Sequence, residues 1–190
     1  MFRFMQRLGR DSETRGRGTG PLTRARRRNH RLDCEALESR QLLAGFYIVN
    51  VYSGKVLDDP GASPNNFAVI DQYQLNGAGN QRWDLLPVGN GNYEIRNEAS
   101  GLVLDNSFST TEGTVIDQFQ PYGDMNQQWQ LFEQQRNGPY GFRNAYSKLV
   151  LGDPGFSTSE GTQVVQWQWT SGLNEQWYAY ASPFPEGLST

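Results

Sequence analysis

The chain has 190 residues, room for one domain of ordinary size with or without a tail. Its 17 Lys and Arg against 20 Asp and Glu give a net charge of -3. Eleven arginines and five acids fall in residues 1–45, so that segment is +6, while residues 46–190 keep 6 basic and 15 acidic side chains and are -9. The single histidine, His30, and the single cysteine, Cys34, also lie in the basic segment. The body after residue 45 therefore has no thiol nucleophile, imidazole base, disulfide or Cys/His zinc site.

Residues 1–40 combine Arg24 and Arg26-Arg27-Arg28 with Gly16, Gly18, Gly20 and Pro21, and carry few branched apolar side chains. Such a stretch buries too little surface to offset chain entropy, which predicts disorder. The run Met1 to Arg7 is too short and too basic to supply the apolar core of a secretory signal. Leu42 to Tyr52 is the longest apolar-leaning run, and Gly45 and Asn50 break it well short of the ~20 residues of a membrane-spanning helix. Within Arg26 to Ala44 stands Glu35-Ala-Leu-Glu-Ser-Arg-Gln-Leu-Leu43. This core resembles the LEPR-XLL sorting segment found near the N-termini of large exported planctomycete proteins, with Ser39 where that family usually has Pro. The resemblance implies an exported or cell-surface protein. Taken as residues alone, the segment also reads as a solvated basic arm able to contact nucleic acid or anionic lipid. The acidic body, which repels phosphate, favours export and no nucleic-acid partner.

From residue 46 the chain is rich in aromatics and glycine and poor in charge, a balance that favours strands joined by tight turns. It is one unit written three times. Phe46-Tyr-Ile-Val-Asn50 recurs as Tyr93-Glu-Ile-Arg-Asn97 and Tyr140-Gly-Phe-Arg-Asn144, with the asparagines 47 residues apart. Ser53, Ser100 and Ser147 keep that interval, as do Leu57, Leu104 and Leu151. An apolar run follows in each unit (Ala68-Val-Ile, Val115-Ile, Val164-Val). Next comes a Gln–aromatic pair (Gln72-Tyr73, Gln118-Phe119, Gln166-Trp167). Each unit closes on Asn80-Gln-Arg-Trp83, Asn126-Gln-Gln-Trp129 or Asn174-Glu-Gln-Trp177. The alternation predicts about four short strands per unit. One unit is too small to bury its apolar face, whereas three closed about a threefold axis share a core and leave no open edge. The expected organisation is a disordered segment 1–45, a closed body 46–180 in repeats 46–92, 93–138 and 139–180, and a tail 181–190.

These in-register repeats resemble the ricin B-type lectins, the QxW subfamily of β-trefoil carbohydrate-binding modules, over essentially all of residues 46–180. The resemblance implies an all-β β-trefoil, a six-stranded barrel capped by three hairpins. Trp83, Trp129 and Trp177 are expected to be core anchors, and Asn50, Asn97 and Asn144 turn or backbone-bonding devices. Sugar recognition needs a flat apolar surface for the pyranose C–H face and fixed polar groups for its hydroxyls. By resemblance, a first site combines Asp58 as acceptor, Tyr73 as platform and Asn80 as amide, with Gln81 in support. A second combines Asp105, Phe119, Asn126 and Gln127. A third has Trp167 and Asn174, with Gly152 at the aspartate position, Asp153 one residue later, and Glu175 in place of the glutamine. Asp153 is counted with the third site as an acceptor that could swing into place, although a one-residue shift in a strand turns a side chain to the other face. The glutamine that ricin-type repeats place two residues before the platform is absent; Asp71, Asp117 and Val165 stand there, the two acids being candidate partners.

A catalytic carboxylate pair is expected once in a chain, whereas these acids recur in each repeat, so the residues point to repeated binding rather than glycoside hydrolysis. Asp58-Asp59 alone is a weak cation signal, and no metal or cofactor is expected. The expected function is non-catalytic binding of a saccharide or polysaccharide by a monomer without a transmembrane segment. The alternative is a β-trefoil protein-interaction or inhibitor module.

Overall fold

The structure, a computed structural model, describes residues 43–181 apart from 134 and 137. The Arg-rich segment up to residue 42, with most of its sorting-segment resemblance, and the tail from residue 182 lie outside the described residues. The first strand begins at Leu43, three residues before the expected boundary at 46.

Six strands close the barrel: β1 (Leu43–Asn50), β5 (Trp83–Gly89), β6 (Asn92–Asn97), β9 (Trp129–Glu133), β10 (Tyr140–Asn144) and β14 (Trp177–Ala181). Each pairs antiparallel with the next, and β14 returns to β1 through five paired positions from Phe46↔Ala181 to Asn50↔Trp177. Alternation along the strands sends Phe46, Ile48, Tyr93, Ile95, Tyr140 and Phe142 into one core with the three tryptophans, all three of which are fully buried. Each indole N–H donates to a carbonyl of its own repeat: Trp83 to Leu57 O at 3.0 Å, Trp129 to Leu104 O at 3.2 Å, and Trp177 to Leu151 O at 3.0 Å. The repeated tryptophan is thus both apolar filling and a buried donor that finds its acceptor.

Three hairpins cap one end. They are β2 (Val56–Asp58) with β4 (Asp71–Tyr73), β7 (Val103–Asp105) with β8 (Asp117–Phe119), and β11 (Val150–Gly152) with β13 (Val165–Trp167). Each hairpin is also tied to the next repeat. β3 (Ala68–Val69) pairs with β8, Val115 bridges to Val165, and β12 (Thr162–Gln163) pairs with β4. Where the three meet, Ile70 N donates to Ile116 O, Ile116 N to Val164 O and Val164 N to Ile70 O, at 3.0, 3.0 and 3.1 Å. This closed triangle of backbone bonds marks the pseudo-threefold axis and leaves none of these buried groups unpaired.

The asparagine triplet joins repeats in sequence. Asn97 Oδ1 accepts from the N–H groups of Ala99 and Ser100, fixing the turn, while its Nδ2 donates to Asn80 O. Asn50 and Asn144 repeat the arrangement with Asn174 O and Asn126 O. The serine triplet donates to Gln72, Gln118 and Gln166 Oε1. Each of those buried glutamines then meets the following repeat or the preceding one: Gln72 Nε2 donates to Asp153 Oδ1, Gln118 Nε2 to Asp59 Oδ1, and Asn106 Nδ2 donates to Gln166 Oε1.

Candidate functional site

Each hairpin presents its outward residues in the same register. The platform ring lies opposite a buried valine (Val56↔Tyr73, Val103↔Phe119, Val150↔Trp167). Two residues further along stand Asp58↔Asp71, Asp105↔Asp117 and Gly152↔Val165. A short 3-10 turn at 79–81, 125–127 or 173–175 then brings an asparagine against the hairpin. Three local arrangements result, and they differ.

In repeat 1, Tyr73 stands at the rim of an open cleft of about 450 Å³, with its side chain 40% exposed. Asp58, Asp71, Asn76 and Asn80 line the cleft together with the Pro60-Gly61-Ala62 turn. Asn80 Nδ2 donates to Asp58 Oδ1 and to Asp59 O, both at 3.0 Å, so the amide positions the carboxylate. Burial raises the Asp58 carboxyl, and hydrogen bonds from Gln81 and Asn80 oppose that. Asp71 is pushed up to about 7 by burial and then by the charges of Asp58 and Asp59, and its Oδ1 has no hydrogen-bond partner among the described residues. Gln81 is buried behind the cleft, where Oε1 accepts from Asn76 N at 2.7 Å and Nε2 donates to Gln74 O. It braces the loop rather than facing the cleft.

In repeat 3, Trp167, 43% exposed, borders a cavity of about 310 Å³ with Phe156, Pro154, Val165, Asn174 and Thr170. Gly152 and Val165 replace the facing carboxylate pair, while Asp153 and Glu175 also line the cavity. Asp153 does not take the missing aspartate's place. Its side chain is fully buried and its Oδ1 accepts from Gln72 Nε2 at 3.2 Å, the role Asp59 has with Gln118. Asn174 Nδ2 donates to Asp153 O at 2.8 Å, and its Oδ1 has no partner among the described residues. Glu175 accepts from Thr170 N at 2.7 Å and Thr170 Oγ1 at 2.9 Å. A glutamate holds the loop here because a threonine hydroxyl supplies a donor.

In repeat 2 the expected residues also meet, but Asp105 has no free oxygen. Its Oδ1 accepts from Ser107 N at 2.5 Å and Asn126 Nδ2 at 2.8 Å, and its Oδ2 accepts from Gln127 Nε2 at 3.0 Å and the Tyr122 hydroxyl at 2.8 Å. Asn126 Nδ2 also donates to the Tyr122 oxygen at 2.6 Å. Phe119 meets Tyr122 edge-on, with ring centroids 5.5 Å apart. Burial pushes Asp117 up to about 6, against a hydrogen bond from Ser107 Oγ. Tyr122 was invisible to the repeat pattern as a site residue. The available signal is a mismatch: counting back four from the asparagine gives Asn76, Tyr122 and Thr170.

The ricin-type β-trefoil lectin domain-like family matches residues 38–119 and 125–187, most of the chain. The chain belongs to this family. Among solved structures, this lectin-like chain is similar to the designed threefold-symmetric protein ThreeFoil, with a TM-score of 0.70 and 34% identity, covering 72% of this chain and 97% of that one. It is similar to an exo-β-1,3-galactanase from Clostridium thermocellum, with a TM-score of 0.70 and 32% identity, over 73% of this chain but 30% of that one. A ricin B-like lectin from Macrolepiota procera, solved in complex with lactose, has a TM-score of 0.64 at 23% identity, over 76% of this chain and 97% of that one, and shares the fold. No curated protein matches this chain. Among the described residues of the lectin-like domain no His, Cys, Asp or Glu cluster of three or more is placed to hold a metal ion, and no helix is long and apolar enough to cross a membrane.

Proposed function

We propose that this lectin-like domain binds saccharides without transforming them, at the clefts that its hairpins form. The observation that carries the reading is in repeat 1, where an exposed tyrosine ring stands over a cleft floored by two buried carboxylates. A pyranose ring laid on Tyr73 offers its C–H face to the aromatic and its hydroxyls to Asp58 and Asp71, two acceptors held in place before the ligand arrives. Trp167 does the same in repeat 3, where Asn174 lines the cavity beside the ring. Gln81, Gln127 and the Asp153 carboxylate support the loops and repeat boundaries and are not assigned to a ligand.

A site of one ring and two or three polar groups is expected to bind with a dissociation constant of about 0.1–10 mM, and two such sites on one rigid body gain from simultaneous engagement of a polymer. The name of the galactanase suggests the first probe, a β-1,3-galactan. Gel retardation in β-1,3-galactan, with a glycan array beside it, tests the reading. Tyr73→Ala and Trp167→Ala each weaken retention roughly tenfold and together abolish it, with melting temperature unchanged because neither ring is in the core. Absence of binding to any glycan sinks the proposal. So does a loss of stability that parallels the loss of binding. Export, where glycans would be met, is the matching location, and the resemblance of residues 35–43 supports it.

A further inference from the structure

The three clefts are not equivalent, and the difference lies in one side chain. At corresponding positions stand Asn76, Tyr122 and Thr170. All three anchor their loop identically through the backbone, Asn76 N to Gln81 Oε1 at 2.7 Å, Tyr122 N to Gln127 Oε1 at 2.9 Å and Thr170 N to Glu175 Oε2 at 2.7 Å. The side chains then diverge. Asn76 Oδ1 accepts from Ala78 N and Thr170 Oγ1 donates to Glu175, so both stay within their own loops. Tyr122 instead reaches the hairpin, where its hydroxyl donates to Asp105 Oδ2 and accepts from Asn126 Nδ2.

We propose that the repeat-2 cleft is occupied from within: the Tyr122 phenol stands where a ligand hydroxyl would, and the domain takes up saccharide at repeats 1 and 3 only. The chemistry is that of the sugar contact itself, an alcohol-like oxygen donating to a carboxylate and accepting from an amide. The Asp105–Asn126–Tyr122 contact is itself matched donor for acceptor, while Asn126 Oδ1 and Asp117 Oδ1 stay buried without a partner among the described residues. Asp105 accepts four hydrogen bonds, both Asn126 N–H groups are used, and the phenol both gives and receives. The ring is held as well, edge-on to Phe119 at 5.5 Å and stacked beside Phe108 at 6.4 Å, and Phe119 is flanked by Phe67 at 4.9 Å. A saccharide entering repeat 2 exchanges its hydroxyl for the phenol one for one and gains no hydrogen bond, while the tyrosine loses its ring contacts. In repeat 1 Asn76 stands in the tyrosine's place with its side chain bonded within its own loop, so the same saccharide approaches Asp58 with no phenol to displace. Repeat 2 is therefore expected to bind at least tenfold more weakly than repeat 1.

The sugar half of this inference rests on the saccharide reading above; the closure itself does not, and two measurements separate them. First, titrating tyrosine ring carbons by NMR in the full chain shows Tyr122 ionising late, pushed up to about 12 by burial and by the Asp105 hydrogen bond. Ionisation near 10, the ordinary phenol value, overturns the closure whatever the domain binds. Second, β-1,3-galactobiose is titrated while the side-chain amide signals of Asn80, Asn126 and Asn174 are followed. Asn80 and Asn174 shift and Asn126 does not; in Tyr122→Asn, which copies repeat 1, Asn126 joins them. A response of Asn126 in the unaltered protein, or none in Tyr122→Asn while Asn80 responds, overturns the proposal. Silence at all three asparagines with a late-ionising Tyr122 counts against saccharide binding and leaves the closed cleft standing.

Discussion

Asp71 is the side chain whose replacement most directly opposes stability to function. It is 8% exposed, faces Asp58 across β2 and β4, and carries an oxygen without a partner among the described residues. Its carboxyl, near 3.8 in an unfolded chain, is pushed up to about 7 by burial and by the neighbouring Asp58 and Asp59 charges. The folded chain therefore holds a proton that the unfolded chain has already released between about pH 4 and pH 7. Stability from this group is complete below about pH 4 and is lost as pH rises through 7, amounting to about 4 kcal/mol at alkaline pH. Asp71→Asn keeps the shape, removes the charge and provides an amide that can donate to Asp58. At pH 8 the variant is expected to melt roughly 10 °C higher, at about 3 °C per kcal/mol for a domain of this size, and the gap narrows to near nothing at pH 4. Asp59, Asp117 and Asp153, each raised to about 6, keep a milder slope of the same sign in both proteins. Galactan retention is expected to fall in the same variant, because an acceptor has been removed from the cleft. Thermal melts at pH 4, 6 and 8 decide the matter. Equal or lower melting temperature for Asp71→Asn at pH 8 refutes the reasoning, since it means that the anion is stabilised where the structure shows no partner. A gain in stability with a loss of binding marks a residue held for its ligand rather than for the fold.

Two further outcomes follow from the packing. Trp129→Phe keeps much of the apolar volume but leaves Leu104 O without its indole donor and a gap in the common core, so a loss of roughly 2–4 kcal/mol in a urea titration is expected, with no glycan-specific effect. Gly152→Asp restores the aspartate of repeats 1 and 2, but its Cβ would lie 3.6 Å from Glu175 Cγ and set two carboxylates together. The single variant is expected to lose about 1–3 kcal/mol at pH 7, and Gly152→Asp with Glu175→Gln to recover most of it. A double-mutant cycle without coupling between the two positions refutes that pairing.

How much of this was readable beforehand divides along a physical line. The threefold closure, the buried tryptophans and the asparagine turns were legible because each is one solution used three times at an interval of 47, and repetition separates it from accident. The true register of Asp153 was also legible in principle, since the same interval aligns it with Asp59 and Asn106 rather than with Asp58 and Asp105. Reading it as a displaced cleft residue gave weight to its nearness in sequence to Gly152. Its burial against Gln72 shows that the inward row of the hairpin carries polar groups too. The role of Tyr122 was not legible. A tyrosine in a turn-rich loop has no period to report, and whether its ring points to solvent or back to Asp105 is decided by a loop conformation that the sequence pattern does not encode.

The division has a cause in the closure itself. The residues that stay the same in all three repeats fill the common core, bond across a repeat boundary or, as with the serine triplet and Asn80, Asn126 and Asn174, brace the hairpin of their own repeat. Asn50, Asn97 and Asn144 reach back to the preceding 3-10 turn, and the backbone triangle of Ile70, Ile116 and Val164 needs all three members. A change at one such position opens a ring whose other members then lose their partners, so it acts on the whole barrel. The hydrogen-bonded side chains of the cleft floors bond within their own repeat, although the Tyr73 platform meets Glu160 of repeat 3. Asp58 with Asp71, Asp105 with Asp117, and Gly152 with Val165 each pair across a single hairpin, and among the described residues no side-chain hydrogen bond ties one cleft's floor to another's. They can diverge without disturbing the axis. One symmetric scaffold therefore holds an open cleft with two facing aspartates, a cleft where a tyrosine bonds the aspartate, and a cleft beside a tryptophan without the facing pair, and a scaffold of this kind can change its ligands one cleft at a time.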